Sequence, residues 1–406
     1  MNVLFLTLID FSTIDEYGLY TDLMREFVKD GHNLYIISPT EKWKNEPTKI
    51  MDYGKTQILK LQIGNTQKTT LLEKGISTVT LESKFKSAIK KYFNDIRFDL
   101  VLYSTPPITL QKAVEFVKTR DQAKSYLLLK DIFPQNAVDL GMLKTDGVKG
   151  IIYKYFRSKE ERLYAISDYI GCMSDANIEF LLDNNRSLKR SSLEVCPNCI
   201  DPMDIAISED RKREIKQKYE IPLDKTLFIY GGNLGKPQGI HFLLECIKNN
   251  ETSPHAFFLI VGSGTEFTKL QQYFHQGRPE NAKLLSQLPR SDYEVLANAS
   301  DVGLIFLDPR FTVPNFPSRM LSYMQASMPV LAATDVNTDI NEVLKKGNFG
   351  YWCESGNLKE FNLLVNKLCD ESLRAEIGKN ARTYLENHYT AKHSYEIIMR
   401  HFNEGK

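Results

Sequence analysis

The feature that most constrains the fold is an alternation of strand and helix patterns that runs through the chain twice. In the first half, apolar runs such as Val3–Ile9 and Asn33–Ser38 alternate with amphipathic segments such as Tyr17–Lys29. The alternation stops in a connector at Asn198–Ser208 and starts again at Leu227–Tyr230. Such alternation is typical of parallel sheets with helices on both faces. The sequence therefore predicts an α/β protein with two doubly wound, Rossmann-like domains.

Length and charge narrow the class of protein. At 406 residues the chain exceeds one ordinary core, so two or three domains are expected. A net charge of +1 gives no reason to expect nucleic-acid binding, and no apolar run reaches the roughly 18–20 residues that cross a bilayer. The opening residues 1–11 lack a basic leader and a cleavage site, which indicates a first strand rather than a signal peptide. These features predict a cytoplasmic protein with no nucleic-acid partner.

The six cysteines are scattered, and only Cys196 and Cys199 have the spacing of metal or redox ligands. No second Cys or His pair lies near them in the sequence. Two incidental thiols beside a turn are therefore favoured over a zinc or redox site. We expect no metal ion and no cofactor.

The segment 227–239 (LFIYGGNLGKPQG) combines an apolar strand, a glycine-rich loop and the start of an amphipathic helix. Unpaired N–H groups and the positive end of the helix dipole face one point in such a loop, which therefore binds anions. Lys236 and the amides of Asn233 and Gln238 lie in the same loop. Because the segment starts the second series of strands, it favours a ligand held between two domains, beyond the carboxyl ends of the strands.

Short motifs in a fixed order cover nearly the whole chain. They are the Gly18 loop after the first strand, Lys130–Pro134, Glu161–Tyr164, Pro197–Asp201, Gly232–Gly239, Ile260–Gly264 and Leu288–Val302. On these motifs the chain resembles the retaining glycosyltransferases of family 4, a glycogen-synthase-like group with the GT-B fold. The resemblance is closest to the WbuB-like branch, which builds bacterial surface polysaccharides.

The resemblance implies a domain plan and a reaction. Two Rossmann-like domains would face each other across a cleft, with residues 1–200 binding the acceptor and residues 201–388 binding the donor. Residues 389–406 would pack back on the first domain. The enzyme, a hexosyl- or aminosugar transferase, would move a sugar from a nucleotide-diphosphate donor, with UDP the expected nucleotide, to a saccharide or lipid-linked acceptor of capsule or O-antigen synthesis. Retention of anomeric configuration is implied, and cations with helix N-termini would stabilise the departing diphosphate without a metal.

The resemblance also implies roles for particular residues. Asp131, Lys236 and Arg319 would be catalytic. The implied donor-binding residues, in loops and at helix starts, are Gly18, Gly232, Asn233, Gly235, Gln238, Gly262, Gly264, Arg290, Phe316, Pro317, Ser318 and Ser322. Helix capping explains Asp131 and Ser318 equally well, with Ser318 before a predicted helix at Arg319–Ala326. Lys236 and Arg290 are equally well explained as ordinary surface charges. At position 319 the related branch has Lys, and the guanidinium of Arg319 suits a phosphate.

Two places depart from the family pattern. A Glu-x7-Glu pair falls on Pro314 and Ser322, and Asn233 and Gln238 stand where most members have Arg and Lys, as they do in many of the WbuB-like branch. Ser322 can still bond a ribose hydroxyl, but without charge. Two alternatives therefore stay open: a catalytically silent GT-B subunit that supports a partner transferase, and a UDP-sugar 2-epimerase with the same fold.

The predicted helix Lys149–Ile166 mixes basic side chains with Ile, Tyr and Phe. This composition suits contact with anionic lipid head groups at the inner face of the membrane, near a lipid-linked acceptor. A helix that packs on its own domain and keeps one charged face in water has the same composition. Both readings of this helix stay open, and peripheral membrane contact requires exposed basic and apolar side chains on its surface.

Overall fold

The computed structural model describes residues 1–65 and 71–402 and divides into two units. The first unit comprises residues 1–201 together with the chain from Ala391 onward, and the second is Pro202–Thr390. The last four residues of the expected 389–406 segment lie outside the described residues. No helix within the described residues is both long and apolar enough to span a membrane.

Eight strands of the described chain belong to the first unit and six to the second. In chain order the strands are β1 (Asn2–Leu6), β2 (Asn33–Glu41), β3 (Lys49–Asp52), β4 (Thr56–Ile63), β5 (Leu100–Ser104), β6 (Lys124–Leu129), β7 (Tyr169–Cys172), β8 (Leu193–Val195), β9 (Thr226–Asn233), β10 (Ala256–Ser263), β11 (Ala282–Ser286), β12 (Val302–Phe306), β13 (Val330–Thr334) and β14 (Gly350–Glu354). The central strands are buried along almost their whole length, as in parallel sheets covered on both faces.

Helices fill most of the connections between strands. In chain order they are α1 (Leu19–Lys29), α2 (Leu71–Tyr92), α3 (Gln111–Asp121), α4 (Gln135–Asp139), α5 (Gly147–Ile166), α6 (Asp175–Asn184), α7 (Glu209–Lys218), α8 (Ile240–Asn249), α9 (Phe267–Gly277), α10 (Arg290–Asn298), α11 (Arg319–Gln325), α12 (Ile340–Gly347), α13 (Leu358–Leu368), α14 (Glu371–His388) and α15 (Ala391–Met399). Single 3-10 turns lie at Lys42–Lys44, Arg190–Ser192 and Lys236–Gln238.

The sheet of the first unit has the order β3-β4-β2-β1-β5-β6-β7-β8. Its strands are parallel except β3, which runs antiparallel to β4 at the edge. In the centre, Val3 of β1 pairs with Leu34 on one side and Leu100 on the other. Since parallel strands need crossover connections, this register leaves α1 and α3 to link β1 to β2 and β5 to β6.

Helix α15 forms part of the hydrophobic core of the first unit. Its Tyr395 and Ile398 are buried in one cluster with Phe27 of α1 and residues of β1 and β2. The Phe27 and Tyr395 rings meet edge to face at 4.9 Å, and Tyr395 Oη lies 2.9 Å from Nε2 of His32. The histidine before β2 is therefore explained by packing of the C-terminal helix.

The sheet of the second unit has the order β11-β10-β9-β12-β13-β14, and all its pairs are parallel. Phe228, Phe258 and Phe306 of its central strands pack with Phe242 of α8 and Phe361 of α13. Phe228 and Phe258 lie on β9 and β10 themselves, before the carboxyl ends where the glycine-rich loops begin. The core thus holds those strand ends rigid from below.

The prediction of an α/β protein with two parallel sheets is confirmed, whereas several boundaries differ. Helix α1 begins at Leu19 rather than Tyr17, and the predicted helix 149–166 begins at Gly147. Helix α2 was not predicted, because Gly75 and a run of β-branched residues give its first half low helix propensity. Strand β3 was also missed, since its four residues carry no apolar alternation.

Candidate active site

Two glycine-bearing loops lie side by side at the carboxyl ends of β9 and β10. Gly232 pairs in register with Gly262. A Cβ on Gly262 would lie only 1.9 Å from the Gly232 carbonyl oxygen, so a side chain at position 262 would push the strands apart. A Cβ on Gly264 would lie 2.5 Å from the Leu234 carbonyl oxygen. Both glycines therefore serve the close approach of the two loops.

The loop after β9 passes through the 3-10 turn Lys236–Gln238 into α8. Gly235 is buried, and Gly239 adopts a left-handed conformation (φ 55°) as it starts the helix. The backbone N–H of Asp308 donates to the Pro237 carbonyl at 3.0 Å, which ties the turn to the chain after β12. Lys236 is exposed and makes no salt bridge with a described residue. The loop thus presents a solvent-facing cation near the N-terminus of a ten-residue helix.

Arg319, the first residue of α11, reaches under this loop. Its guanidinium carbon lies 4.2 Å from the centroid of the Tyr230 ring, a cation–π contact, and its Nη2 donates to Oε1 of Gln238 at 2.8 Å. A Cβ placed on Gly232 would lie 3.7 Å from the same Nη2. Nη1 is buried and has no hydrogen-bond partner among the described residues. A permanently charged guanidinium is therefore held beside the glycine-rich loop, and the N–H donors of its Nη1 have no partner in the described part of the chain.

Tyrosines surround the arginine and the end of β9. Tyr230 Oη donates to the Asn233 carbonyl at 2.8 Å and lies 3.1 Å from Gln238 Oε1. Tyr323 Oη accepts from the Gly231 N–H at 3.3 Å and donates to the Leu304 carbonyl at 3.2 Å. Burial raises the pKa of Tyr230 to about 12, so its phenol stays neutral and keeps its proton for donation. These rings form a rigid, uncharged lining around the guanidinium.

The segment before α11 does not bear out every predicted role. Ser318 is exposed, already has helical backbone angles (φ −63°, ψ −20°), and makes no side-chain bond to the helix. Ser318 thus lies at the predicted N-cap position, but its hydroxyl does not cap the helix, because a capping residue needs an extended backbone to aim its hydroxyl at the next turn. Phe316 and Pro317 are half-buried, with the Phe316 ring tilted against Tyr389 at 6.2 Å.

Neither position of the expected Glu-x7-Glu pair carries a substitute acid. Pro314 is buried in a segment that two side chains fasten by its carbonyls: Asn337 donates to the Phe311 carbonyl and Thr338 to that of Asn315. Ser322 is exposed on α11. The first position of the pair therefore holds a buried proline, and the second holds an exposed serine.

Arg290 starts α10 with an exposed side chain. Its Nε donates to Oε1 of Glu294 one turn later at 2.7 Å. Exposed i,i+4 pairs of this kind contribute little to stability. The ion pair is consistent with an ordinary surface charge at Arg290.

In the first unit, Gly18 and Asp131 follow the ends of β1 and β6. The N–H of Gly18 donates to Oδ1 of Asp22 at 2.8 Å, so its backbone is tied to α1. The N–H of Asp131 donates to Oγ1 of Thr105 at 3.2 Å. Desolvation by the surrounding protein raises the pKa of the Asp131 carboxyl above its usual value, although the side chain reaches solvent. Helix α4 begins after Pro134, and capping by Asp131 is excluded as an explanation.

The remaining candidate ligands belong to the protein interior. Cys196 and Cys199 are buried in the core of the first unit, and burial raises the pKa of the Cys199 thiol to about 12. Among the described residues no group of three or more His, Cys, Asp or Glu side chains could hold a metal ion. Nothing in the geometry gives these two thiols a role in the reaction.

The sequence did not predict the contacts that Tyr230 makes with Arg319 and that Tyr323 makes with Gly231. Tyr230 closes an apolar strand and Tyr323 lies on the apolar face of α11, so both look like ordinary core residues. Their contacts with Arg319 and Gly231 come from residues far apart in the chain. A spacing pattern carries no signal of such pairs.

Comparison with known proteins shows which enzymes this chain is similar to. Residues 211–384 match the family model described as glycosyl transferases group 1. The probable glycosyltransferase WbjE of Pseudomonas aeruginosa is 25% identical over 336 residues, which cover 81% of this chain and 80% of WbjE. The putative teichuronic acid biosynthesis glycosyltransferase TuaC of Bacillus subtilis is 26% identical over 201 residues, 49% of this chain and 44% of TuaC.

Solved structures show the same fold along the whole chain. Sucrose-phosphate synthase from Thermosynechococcus elongatus superimposes with a TM-score of 0.75 at 12% identity, over 100% of this chain and 99% of that one. HepE of Anabaena, in complex with UDP, superimposes with a TM-score of 0.67 at 16% identity, over 99% of both chains. The chain is therefore a glycosyltransferase with the GT-B fold, and its residues 211–384 are similar to the glycosyl transferases of group 1.

Proposed function

We propose that the protein transfers a sugar from a UDP-linked donor to a saccharide or lipid-linked acceptor, with retention, in bacterial cell-surface polysaccharide synthesis. The observation that carries the proposal is the buried Nη1 of Arg319 beside the glycine-rich loop, which has no hydrogen-bond partner among the residues that the structure describes. A buried donor without a partner costs roughly 1–3 kcal/mol, and an anionic ligand at this loop would complete its bond. WbjE and TuaC carry glycosyltransferase names, and so does CapM of Staphylococcus aureus, a capsular polysaccharide biosynthesis glycosyltransferase that is 27% identical over 205 residues; the name of TuaC specifies teichuronic acid biosynthesis.

The nucleotide diphosphate suits this loop for electrostatic reasons. As the bond between the sugar and the diphosphate breaks, negative charge grows on the departing phosphate oxygens. Arg319, the exposed Lys236 and the unpaired N–H groups at the start of α8 would offset that charge without reorganising. The fold neighbour HepE has been solved with UDP and with UDP-glucose, which supports UDP as the nucleotide.

The first unit would supply the acceptor side of the reaction. The carboxylate of Asp131 lies just after β6 and reaches solvent. A carboxylate at this place would accept a hydrogen bond from an acceptor hydroxyl and orient it. We assign it no nucleophilic role, and retention follows from the family resemblance alone.

Contact with the inner face of the membrane is part of the proposal, on a smaller basis than the sequence suggested. Arg157 and Lys159 of α5 are engaged by Glu160 and Glu82 within the first unit. Ile151 remains 70% exposed and Ile152 43%, beside exposed Tyr155 and Lys154. This group of two isoleucines, one tyrosine and one lysine would place a shallow apolar contact at a lipid surface.

A catalytically silent subunit is the second candidate, and the buried Pro314 favours it, because no carboxylate has taken the place of the expected glutamate. A 2-epimerase would need carboxylates together with a histidine in the site; among the described residues His241, at the start of α8, is exposed beside Glu245. Purified protein incubated with UDP-, GDP- and dTDP-sugars and a membrane lipid extract separates these ideas. Release of UDP coupled to sugar transfer supports the transferase. UDP-sugar interconversion without acceptor supports the epimerase, and no UDP binding supports the silent subunit.

A further inference from the structure

The side-chain oxygen of Gln238 lies within hydrogen-bond distance of both Arg319 and Tyr230. Its Oε1 lies 2.8 Å from Arg319 Nη2 and 3.1 Å from Tyr230 Oη. The single proton of the Tyr230 phenol goes to the Asn233 carbonyl at 2.8 Å, so Arg319 Nη2 is the donor that bonds the Gln238 oxygen. The glutamine was expected to bind the donor through this loop, yet in the structure its oxygen is committed to the protein.

The three side chains come from three separate elements. Tyr230 lies on β9, Gln238 closes the 3-10 turn, and Arg319 begins α11. Tyr230 Oη also donates to the Asn233 carbonyl, and the guanidinium stacks on its ring. A long arginine side chain loses much of its rotamer freedom when it is held in one position. Here two contacts hold it, one to the ring face and one to the amide.

We propose that Gln238 is a positioning residue, which fixes the Arg319 guanidinium so that its Nη1 is available to a nucleoside diphosphate. This inference rests on the function proposed above. An amide is suited to the task because it accepts a hydrogen bond from arginine without cancelling its charge. A carboxylate at position 238 would hold the guanidinium more strongly but would neutralise it.

Three variants separate positioning from a merely structural role. Gln238→Leu removes the acceptor, Gln238→Glu keeps it and adds a negative charge, and Arg319→Gln removes the cation. Binding of UDP and of uridine to the full chain is measured for each by calorimetry, together with the double variant that carries both Gln238→Leu and Arg319→Gln. Gln325→Leu serves as the matched control. Gln325 also lies on α11, but its side-chain oxygen accepts from the Met203 N–H rather than from Arg319.

The expected result is specific to the diphosphate. Gln238→Leu should weaken UDP binding about 3- to 10-fold, the range for one lost hydrogen bond, with uridine changed less than about 2-fold. Gln238→Glu should weaken UDP at least as much, although its bond to Arg319 is stronger. In the Arg319→Gln background, Gln238→Leu should have almost no further effect, because the two residues act as one unit.

The outcomes that overturn the inference differ in what they contradict. Wild-type protein that binds no UDP contradicts the proposed function and with it the positioning role. Wild-type protein that binds UDP, with Gln238→Leu and Gln238→Glu unchanged or with additive losses in the double variant, contradicts the positioning role alone. Equal weakening of uridine and UDP by Gln238→Leu would also contradict it, since that pattern marks a general loss of structure.

Discussion

The guanidinium of Arg319 lies over the face of the Tyr230 ring, 4.2 Å from its centroid. Burial raises the pKa of that tyrosine to about 12, so the ring faces the cation as a neutral phenol across the ordinary pH range. The pair brings α11 against the end of β9, next to the loop that carries Gly232. Several consequences of this arrangement can be measured.

Replacement of Gly262 by Ala should destabilise the second unit. The added Cβ would lie 1.9 Å from the Gly232 carbonyl oxygen, and overpacking of this kind costs about 1–3 kcal/mol. Gly277→Ala is the matched control, because its Cβ would lie 3.9 Å from Cε2 of Tyr273, an ordinary contact distance. Denaturant unfolding measures both free energies. Equal stability of the two variants would mean that the strands are further apart than described.

Ser322→Glu should tighten UDP binding several-fold if the ribose lies at α11. The exposed serine leaves room for a longer side chain, and a carboxylate bond to a hydroxyl is roughly twice as strong as a neutral one. Calorimetry with UDP on folded Ser322→Glu and Ser322→Gln protein separates charge from size. Unchanged or weaker binding in the Glu variant would place the ribose elsewhere.

Asp121 gives the first unit a predictable dependence on acid. Burial alone would raise its pKa, but bonds from Arg120, Arg97 and the Phe98 N–H hold the pKa below its usual range. A lowered folded pKa means that the stabilisation is present above about pH 4 and is lost as the pH falls through the folded value.

Asp121→Asn should therefore cost about 1–3 kcal/mol of unfolding free energy at pH 7, and the difference from wild type should shrink below pH 4. Urea unfolding at pH 7 and at pH 3 measures it. Asp224→Asn, at an exposed position, should show neither effect. A deficit of equal size at both pH values would show that lost packing, not charge, explains the variant.

Substitution of Ile151 and Ile152 by Glu should weaken binding to vesicles that contain anionic lipid. Loss of two exposed apolar side chains from a lipid contact predicts roughly a 10-fold weaker partition or more. Leu363→Glu, at a residue 55% exposed on α13, is the matched control. Cosedimentation that is equal for all three proteins would rule out this surface as the membrane contact.

The fold was largely predictable from the sequence because its signals are local. Apolar runs such as Leu227–Tyr230 mark buried strands, and the glycine-rich segment after them marks the loop into α8. Helix α2 escaped prediction because low-propensity residues hide its period, and the order of strands in a sheet leaves no local trace.

The site was predictable only in part, for the same reason. Arg319 and Gln238 were both expected near the donor, but they are 81 positions apart, and their hydrogen bond could not be seen in either segment. Ser318 was misjudged because capping depends on its backbone angles, which the Phe-Pro-Ser sequence does not determine. The residue types suggested the chemistry, whereas the geometry assigned each residue its partner.

The binding of UDP compared with uridine, in wild-type protein and in Arg319→Gln, tests the central claim most directly. Loss of one charged hydrogen bond to the diphosphate predicts UDP binding weaker by 1.5–3 kcal/mol, about 10- to 150-fold, with uridine unchanged. Arg211→Gln, at an exposed arginine of α7, controls for loss of a positive charge and should bind both ligands as wild type does. Wild-type protein with no preference for UDP over uridine, or an Arg319→Gln variant that binds UDP normally, would contradict the claim.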